Sequence, residues 1–184
     1  GLIPALTTNG VQWAVAAMTP TEERRQQVDF SIPYLKDSAA LISLKEVALE
    51  NLQTLNPTHV LGVQLGTTHE NNARKQLDSE ILLRSYPRVQ EMVQDLRLKR
   101  ISGLIVGESE AKKIVHLNSQ LCYALLPWSD DKAIALPKNS PWLSRVNKAI
   151  ETLAQDGSLA QLIQRWNVDP HSGDESFSNK KFHF

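Results

Sequence analysis

An α/β fold is what this sequence predicts, on three observations. Short apolar runs of strand length alternate with one-sided or polar segments of helical period. Glycine and proline punctuate the joins, as at Gly66, Pro87 and Gly157. The hydrophobic fraction, 41%, is ordinary for a globular chain that buries a core.

The elements follow in order. Leu2, Ile3 and Leu6 share a helical face, so Gly1–Leu6 reads as helix. WAVAAM (Trp13–Met18) is apolar and strand-length. Thr21–Gln27 has glutamate early and arginine late, the polarity a short helix prefers. AALISL (Ala39–Leu44) and VLGVQ (Val60–Gln64) read as strands. Gly66-Thr67-Thr68 then leads into a polar helix, His69–Asp78. Tyr86-Pro87 breaks the chain, and Pro87–Lys99 places Val89, Met92, Val93 and Leu96 on one helical face. ISGLIV (Ile101–Val106) is a strand and Ser109–Val115 a helix. Leu121–Leu126 and Lys132–Leu136 read as two further strands. Pro141–Gln155 is a helix with Ser140 as its N-cap and Pro141 in its first turn. Gly157 stops it, Ser158–Trp166 is a last helix, and His171–Phe184 reads as a loose tail. The four tryptophans, Trp13, Trp128, Trp142 and Trp166, are expected in core or hinge packing.

Composition narrows the function. At 184 residues the chain is one domain or two small lobes. Lys+Arg and Asp+Glu are balanced at 20 each, so no nucleic-acid footprint, polybasic membrane patch or acidic tail is expected. No apolar run approaches the roughly 20 residues that span a bilayer. The single cysteine, Cys122, forbids an internal disulfide framework and a cysteine-based zinc site. Five histidines lie scattered without paired spacing, so no metal site is expected. There is no GxGxxG and no GxxxxGK[ST], and no cofactor is expected. The chain opens GLIPAL, without Met or a signal segment, and reads as cut from a longer parent.

Three clusters carry usable chemistry. Thr19, Arg24 and Arg25 follow a strand, where α/β proteins bind ligands, and a guanidinium fork matches a carboxylate. Spacing alone favours the alternative, solvated arginines pairing with Glu22 and Glu23. Gly66-Thr67-Thr68 precedes a helix, where free N–H groups attract anions; a plain threonine N-cap explains it too. Glu108 follows the strand LIVG and either holds an ammonium group or caps the next helix. Together, a fixed cation, free amides and a fixed anion are what a free amino acid needs.

The motifs carry a resemblance. MTPTEERRQQVDFSIPYL (Met18–Leu35), LGVQLGTTHE (Leu61–Glu70) and IALPKNSPWLSRVNKAIETLAQDGSLAQLIQRW (Ile134–Trp166) are similar, in that order, to segments of the polar amino-acid-binding proteins of ABC importers. This is bacterial extracellular solute-binding protein family 3, and the resemblance covers the chain to about residue 168. It implies the type II periplasmic-binding-protein, or Venus-flytrap, fold with the ligand in an interlobe cleft. The larger lobe would hold residues 1–37 and 132–184, with a loose tail from 170, and the smaller 38–131. Crossings would fall near Lys36–Ala40 and Ser129–Ala133. Arg24, six residues after Met18, occupies the position that grips the ligand carboxylate. Thr19 matches a ligand-binding threonine, and Ala17 a residue whose carbonyl accepts from the ligand ammonium. Thr67 and Thr68 match the pair whose amides and hydroxyls hold the carboxylate from the other lobe. Glu108 stands where the family usually has Asp, as the ammonium's counter-ion.

Two departures are visible. GVQWAVAAMT is one residue short of the family's Gly-Lys-x-Asp-Ala form, with Trp13 where Asp is common. The family's first segment, with its opening strands and the aromatic residues over the ligand, would precede Gly1. The implied partners are a free polar or basic amino acid, arginine among them, and the membrane subunits of an ABC permease, with a monomeric, non-enzymatic protein. The implied place is periplasmic or extracytoplasmic, with any signal peptide or lipid-bearing cysteine upstream. The alternatives are a receptor's sensor domain and a dehydratase-like enzyme acting on cyclic carboxylic acids.

Overall fold

The computed structural model describes residues 1–8 and 10–166, so the expected tail, His171–Phe184, lies outside the described residues. The chain opens with α1 (Leu2–Thr7), β1 (Ala14–Met18), α2 (Glu22–Gln27) and β2 (Val28–Phe30). A long strand, β3 (Leu35–Leu44), follows, then a 3-10 turn at Leu52–Thr54. The middle of the chain alternates β4 (Val60–Gln64), α3 (Thr68–Gln76), β5 (Leu82–Tyr86), α4 (Val89–Arg97), β6 (Gly103–Gly107) and α5 (Glu108–Leu117). The longest strand, β7 (Leu121–Pro137), leads to α6 (Leu143–Gln155) and α7 (Ser158–Trp166).

Seven strands are ordered β1-β7-β3-β6-β4-β5, with β2 also paired to β7. β4 runs parallel to both β5 and β6, the pairing that α3 and α4 allow as crossovers. β3 is antiparallel to β6 and to β7. The AALISL run is buried along its whole length, as a strand covered on both faces must be.

The core is in three pieces. One gathers Ile42, Met92, Leu96, Leu104 and Leu121, with α4 contributing the face its sequence period predicts. A second, on the opposite face of the same strands, gathers Leu41, Leu61, Val63, Ile105 and Leu126. The third is smaller and joins Leu6, Ala14, Val28, Phe30, Ala133 and Ala135. β3 and β7 run between the first two cores and the third. Leu35 to Ser38 face Lys132 to Ser129, and beyond a bulge the ladder continues from Ala40↔Leu125 to Leu44↔Leu121. The far end of β7, from Ala133 to Pro137, pairs with β1 and β2.

Four expectations need correction. Leu121–Leu126 and Lys132–Leu136 are one strand of 17 residues. The intervening PWSDD has the composition of a turn, but its backbone groups find partners on β3 and stay extended. LLRSY was not expected as a strand; it lies at the sheet's edge beside β4, with Leu82 and Arg84 outward. α6 begins at Leu143 rather than Pro141, because Ser140 spends its hydroxyl on the Trp142 N–H, 3.3 Å away, in a turn ahead of the helix. Finally, Trp128 packs on the second core, but Trp13 and Trp142 meet edge to face at 5.9 Å on the surface and Trp166 is 68% exposed.

Candidate ligand-binding site

The site grows from three strand ends. β1 is irregular where it pairs with β7, and Ala17 takes a left-handed backbone with φ of 47°. A non-glycine residue holds that conformation only when its surroundings impose it. Here the Ala17 N–H donates to the Tyr34 hydroxyl at 3.1 Å, tying the end of β1 to the start of β3. Burial raises the Tyr34 phenol's pKa, so it stays protonated.

Thr19 and Arg24 follow. Thr21 caps α2 by accepting from the Arg24 N–H at 3.3 Å. The Arg24 side chain turns back and donates from Nη1 to the Thr19 carbonyl at 2.9 Å. It is half-buried, and among the described residues no carboxylate pairs with it. The expected alternative, pairing with Glu22 or Glu23, is not what this side chain does. Arg25 instead is exposed, its guanidinium 5.6 Å from the Phe30 ring centre.

The second strand end is the β4–α3 turn. Gly66 sits at φ of 75°, a backbone that glycine adopts without a Cβ penalty. Its N–H donates to Glu70 Oε2 at 2.8 Å, and Glu70 Oε1 accepts from Ser85 Oγ and Arg74. These partners hold the Glu70 carboxyl below its ordinary pKa, the Ser85 hydroxyl first and Arg74 next. Glu70 thereby ties the turn to α3 and to β5. Thr67 caps α3, its Oγ1 accepting from the Glu70 N–H and donating to the Gln64 carbonyl at 2.7 Å. Its own N–H also goes to Gln64. Thr67 is thus engaged locally, as the simple capping reading has it. The amides of Thr68 and His69, in the first turn of α3, are left at the helix's positive end. The Thr68 hydroxyl donates to Asp130 Oδ2.

The third strand end is that of β6. Gly107 is the N-cap of α5 without a side chain to offer, and Asp37 on β3 supplies the missing group. Asp37 Oδ1 accepts from the Ser109 N–H at 3.1 Å and from Ser109 Oγ at 2.9 Å. Its carboxylate lies so close over Gly107 that a Cβ there would collide with it. Glu108 begins α5 and pairs with Lys112 at 3.0 Å, an i,i+4 bridge on a partly exposed face.

Sequence reasoning missed the groups that link these ends. Asp37 and Asp130 are direct partners across the β3–β7 ladder. Asp130, Lys132 and His69 are 7%, 6% and 9% exposed. Lys132 Nζ donates to Thr19 Oγ1 at 3.1 Å and lies 3.6 Å from Asp130 Oδ2. His69 Nδ1 lies 3.9 Å from that same oxygen and has no hydrogen-bond partner. Burial, then the Lys132 charge, lowers the His69 pKa, so the imidazole is neutral near pH 7. The run Arg24–Thr19–Lys132–Asp130–Thr68 is therefore continuous, and Asp37 continues it to the start of α5. Of the six expected positions, Ala17 is on β1 and Thr19 just after it, Arg24 is in α2, Thr67 and Thr68 are at the start of α3, and Glu108 is at the start of α5. The one signal that could have found the linking groups is SDDK (Ser129–Lys132), four polar residues where the chain must cross between cores.

Among the described residues, no group of acidic, histidine or cysteine side chains could hold a metal ion, and no helix is long and apolar enough to cross a membrane.

The model of the bacterial extracellular solute-binding proteins, family 3, matches residues 1–169. The chain belongs to that family. An arginine-binding extracellular protein of Bacillus subtilis is 30% identical over 90% of this chain and 66% of its own length. A probable histidine-binding protein of Campylobacter jejuni is 30% identical over 92% of this chain and 67% of its own. An amino-acid ABC transporter substrate-binding protein from Streptococcus pneumoniae, bound to L-arginine, superposes with a TM-score of 0.81 at 27% identity. That match covers 90% of this chain and 71% of the other. The chain thus spans about two thirds of the length of the curated relatives it matches. The fold is that of the type II periplasmic binding proteins, a mixed α/β fold.

Proposed function

We propose that this chain binds a free polar or basic L-amino acid, of which arginine is one, between two lobes. Among the described residues the larger comprises 1–37 and 132–166 and the smaller 38–131. The observation that carries the reading is the continuous polar run from Arg24 to Thr68, which brings a guanidinium and a helix N-terminus to opposite ends of one line. A ligand carboxylate meets Arg24 through two parallel hydrogen bonds, and the first-turn amides of α3 donate to the lone pairs its oxygens have left. Glu108 takes the ammonium group once it leaves Lys112, and the Ala17 carbonyl adds an acceptor beside it. Thr19 completes the grip from the larger lobe.

The lobes close as hinged bodies on β3 and β7, and the amino acid selects the closed state because only there do both sets of groups reach it. The closed form is then what an ABC permease engages at the extracytoplasmic face of the membrane. No oxidation, hydrolysis or elimination follows in this scheme, so the protein works by binding alone, as a monomer. The arginine-binding and probable histidine-binding relatives support this reading. Isothermal titration with each of the twenty common amino acids tests it. Heat of binding from at least one polar or basic member is expected; no heat from any of them would overturn it.

A further inference from the structure

The hydroxyl that the proposed ligand carboxylate would use is already taken by a carboxylate of this chain. Thr68 Oγ1 donates to Asp130 Oδ2. Asp130 is buried at the middle of β7, and its partner across the ladder is a second carboxylate, Asp37. Asp37 is engaged through Oδ1 with Ser109, and the Thr68 hydroxyl goes to Asp130 instead. Asp130 Oδ2 lies 3.6 Å from Lys132 Nζ and 3.9 Å from His69 Nδ1, neither of which is in hydrogen-bonding range of it. His69 Nδ1 is buried and has no partner. Lys132 meanwhile donates to Thr19 Oγ1. Two more groups thus stand beside Asp130, ready to receive it when it leaves Thr68.

We propose that Asp130 is an internal stand-in for the ligand's carboxylate. This rests on the binding site proposed above and adds a residue to it. Capture is then an exchange. The incoming carboxylate takes the Thr68 hydroxyl, and Asp130 moves about an ångström toward Lys132 and His69. Lys132, drawn to Asp130, releases the Thr19 hydroxyl for the ligand. Both hydroxyls are thereby freed by one displacement, on opposite sides of the bound molecule. The repulsion between Asp130 and the ligand's carboxylate weakens affinity, and it falls only on ligands that carry that carboxylate.

The experiment compares L-arginine and L-histidine with their C-terminal carboxamides, which lack the carboxylate. Affinities are measured by calorimetry for the wild-type chain, Asp130→Asn and Asp130→Glu. Asparagine keeps the hydrogen-bond acceptor for Thr68 and removes the charge. Asp130→Asn is expected to tighten the amino acid on the order of tenfold while leaving its carboxamide within about twofold, the scale of removing one nearby like charge. Asp130→Glu, which keeps the charge, is expected to keep the wild-type ratio. Equal shifts for amino acid and carboxamide would overturn the exchange while leaving the binding site standing, because a merely structural Asp130 does not distinguish them. Weaker amino-acid binding by Asp130→Asn, with the carboxamide unchanged, would overturn it too. No binding by any form, folded as judged by circular dichroism, overturns the site and the exchange together. Should Asp130→Asn not fold, Asp130→Ser reads the same ratio.

Discussion

The two sides of the proposed cleft are built very differently. The side that carries Thr67, Thr68 and Glu108 rests on two cores packed on both faces of a five-strand stretch, β7-β3-β6-β4-β5. The side that carries Ala17, Thr19 and Arg24 rests on one small core of short elements. Ile150 is the one fully buried residue of α6, and α7 has none, with Leu159 and Ile163 half-buried, although both helices have strongly one-sided sequences. Val15, Trp142, Leu153, Leu162 and Trp166 are exposed on that same side. A one-sided helix stabilises a fold only by burying its apolar face, so the two regions contribute unequally to stability. The difference teaches where precision comes from. Thr68 and Glu108 start helices packed on that scaffold, whereas the Thr19 and Arg24 side chains are each held by one hydrogen bond, Thr19 by Lys132 reaching across from β7 and Arg24 by the Thr19 carbonyl.

The largest expected effect sharpens that contrast. Leu104→Ala, in the middle of the first core, is expected to lower unfolding free energy by about 3 kcal/mol, the usual cost of a buried leucine's cavity. Leu162→Ala on α7 is expected to cost under about 0.5 kcal/mol. Urea unfolding of both variants checks this, and similar losses would erase the distinction between the two sides. Gly107→Ala comes next, at about 2 kcal/mol, since the added methyl displaces Asp37 from Ser109 and uncaps α5. A far smaller loss in the same measurement would show that Asp37 has room to move.

A pH effect follows from His69. Its pKa in the folded chain is lowered, while the unfolded chain keeps a value near about 6.5. The unfolded state therefore binds more protons as the pH falls, and stability declines below about pH 6.5 until the folded imidazole also protonates. The slope from this one group reaches at most about 1.4 kcal/mol per pH unit. His69→Gln is expected to flatten the decline between pH 7 and 5.5 in thermal melts. An unchanged slope would place the acid sensitivity elsewhere.

How much was legible in the sequence divides along physical lines. The α4 face of Val89, Met92 and Leu96 was readable because helical period and burial coincide. The β4–α3 turn was readable because Gly66 and Thr67 have local jobs, a left-handed backbone and an N-cap. LLRSY was not, because its burial alternates while its polarity does not follow, with Leu82 exposed and Ser85 half-buried. Thr19 and Arg24 were found through a recognisable motif, but their partners were not. Lys132 lies 113 residues from Thr19, and Asp130 62 from Thr68. Such contacts exist only because β3 and β7 extend through a stretch whose composition reads as a turn. Local chemistry sets the turns and caps; long-range strand pairing sets which charges meet, and no local pattern records it.

The central claim is that Arg24 grips a ligand carboxylate. Titration of the wild-type chain and Arg24→Ala with L-arginine and L-histidine tests it most directly. The Arg24 side chain makes one hydrogen bond within the fold, so its loss is expected to cost stability only about 1 kcal/mol. The account predicts a folded Arg24→Ala chain whose affinity for the bound amino acid is at least about 100-fold weaker, as losing a charge-assisted pair implies. A folded variant that binds as tightly as the wild type would contradict it.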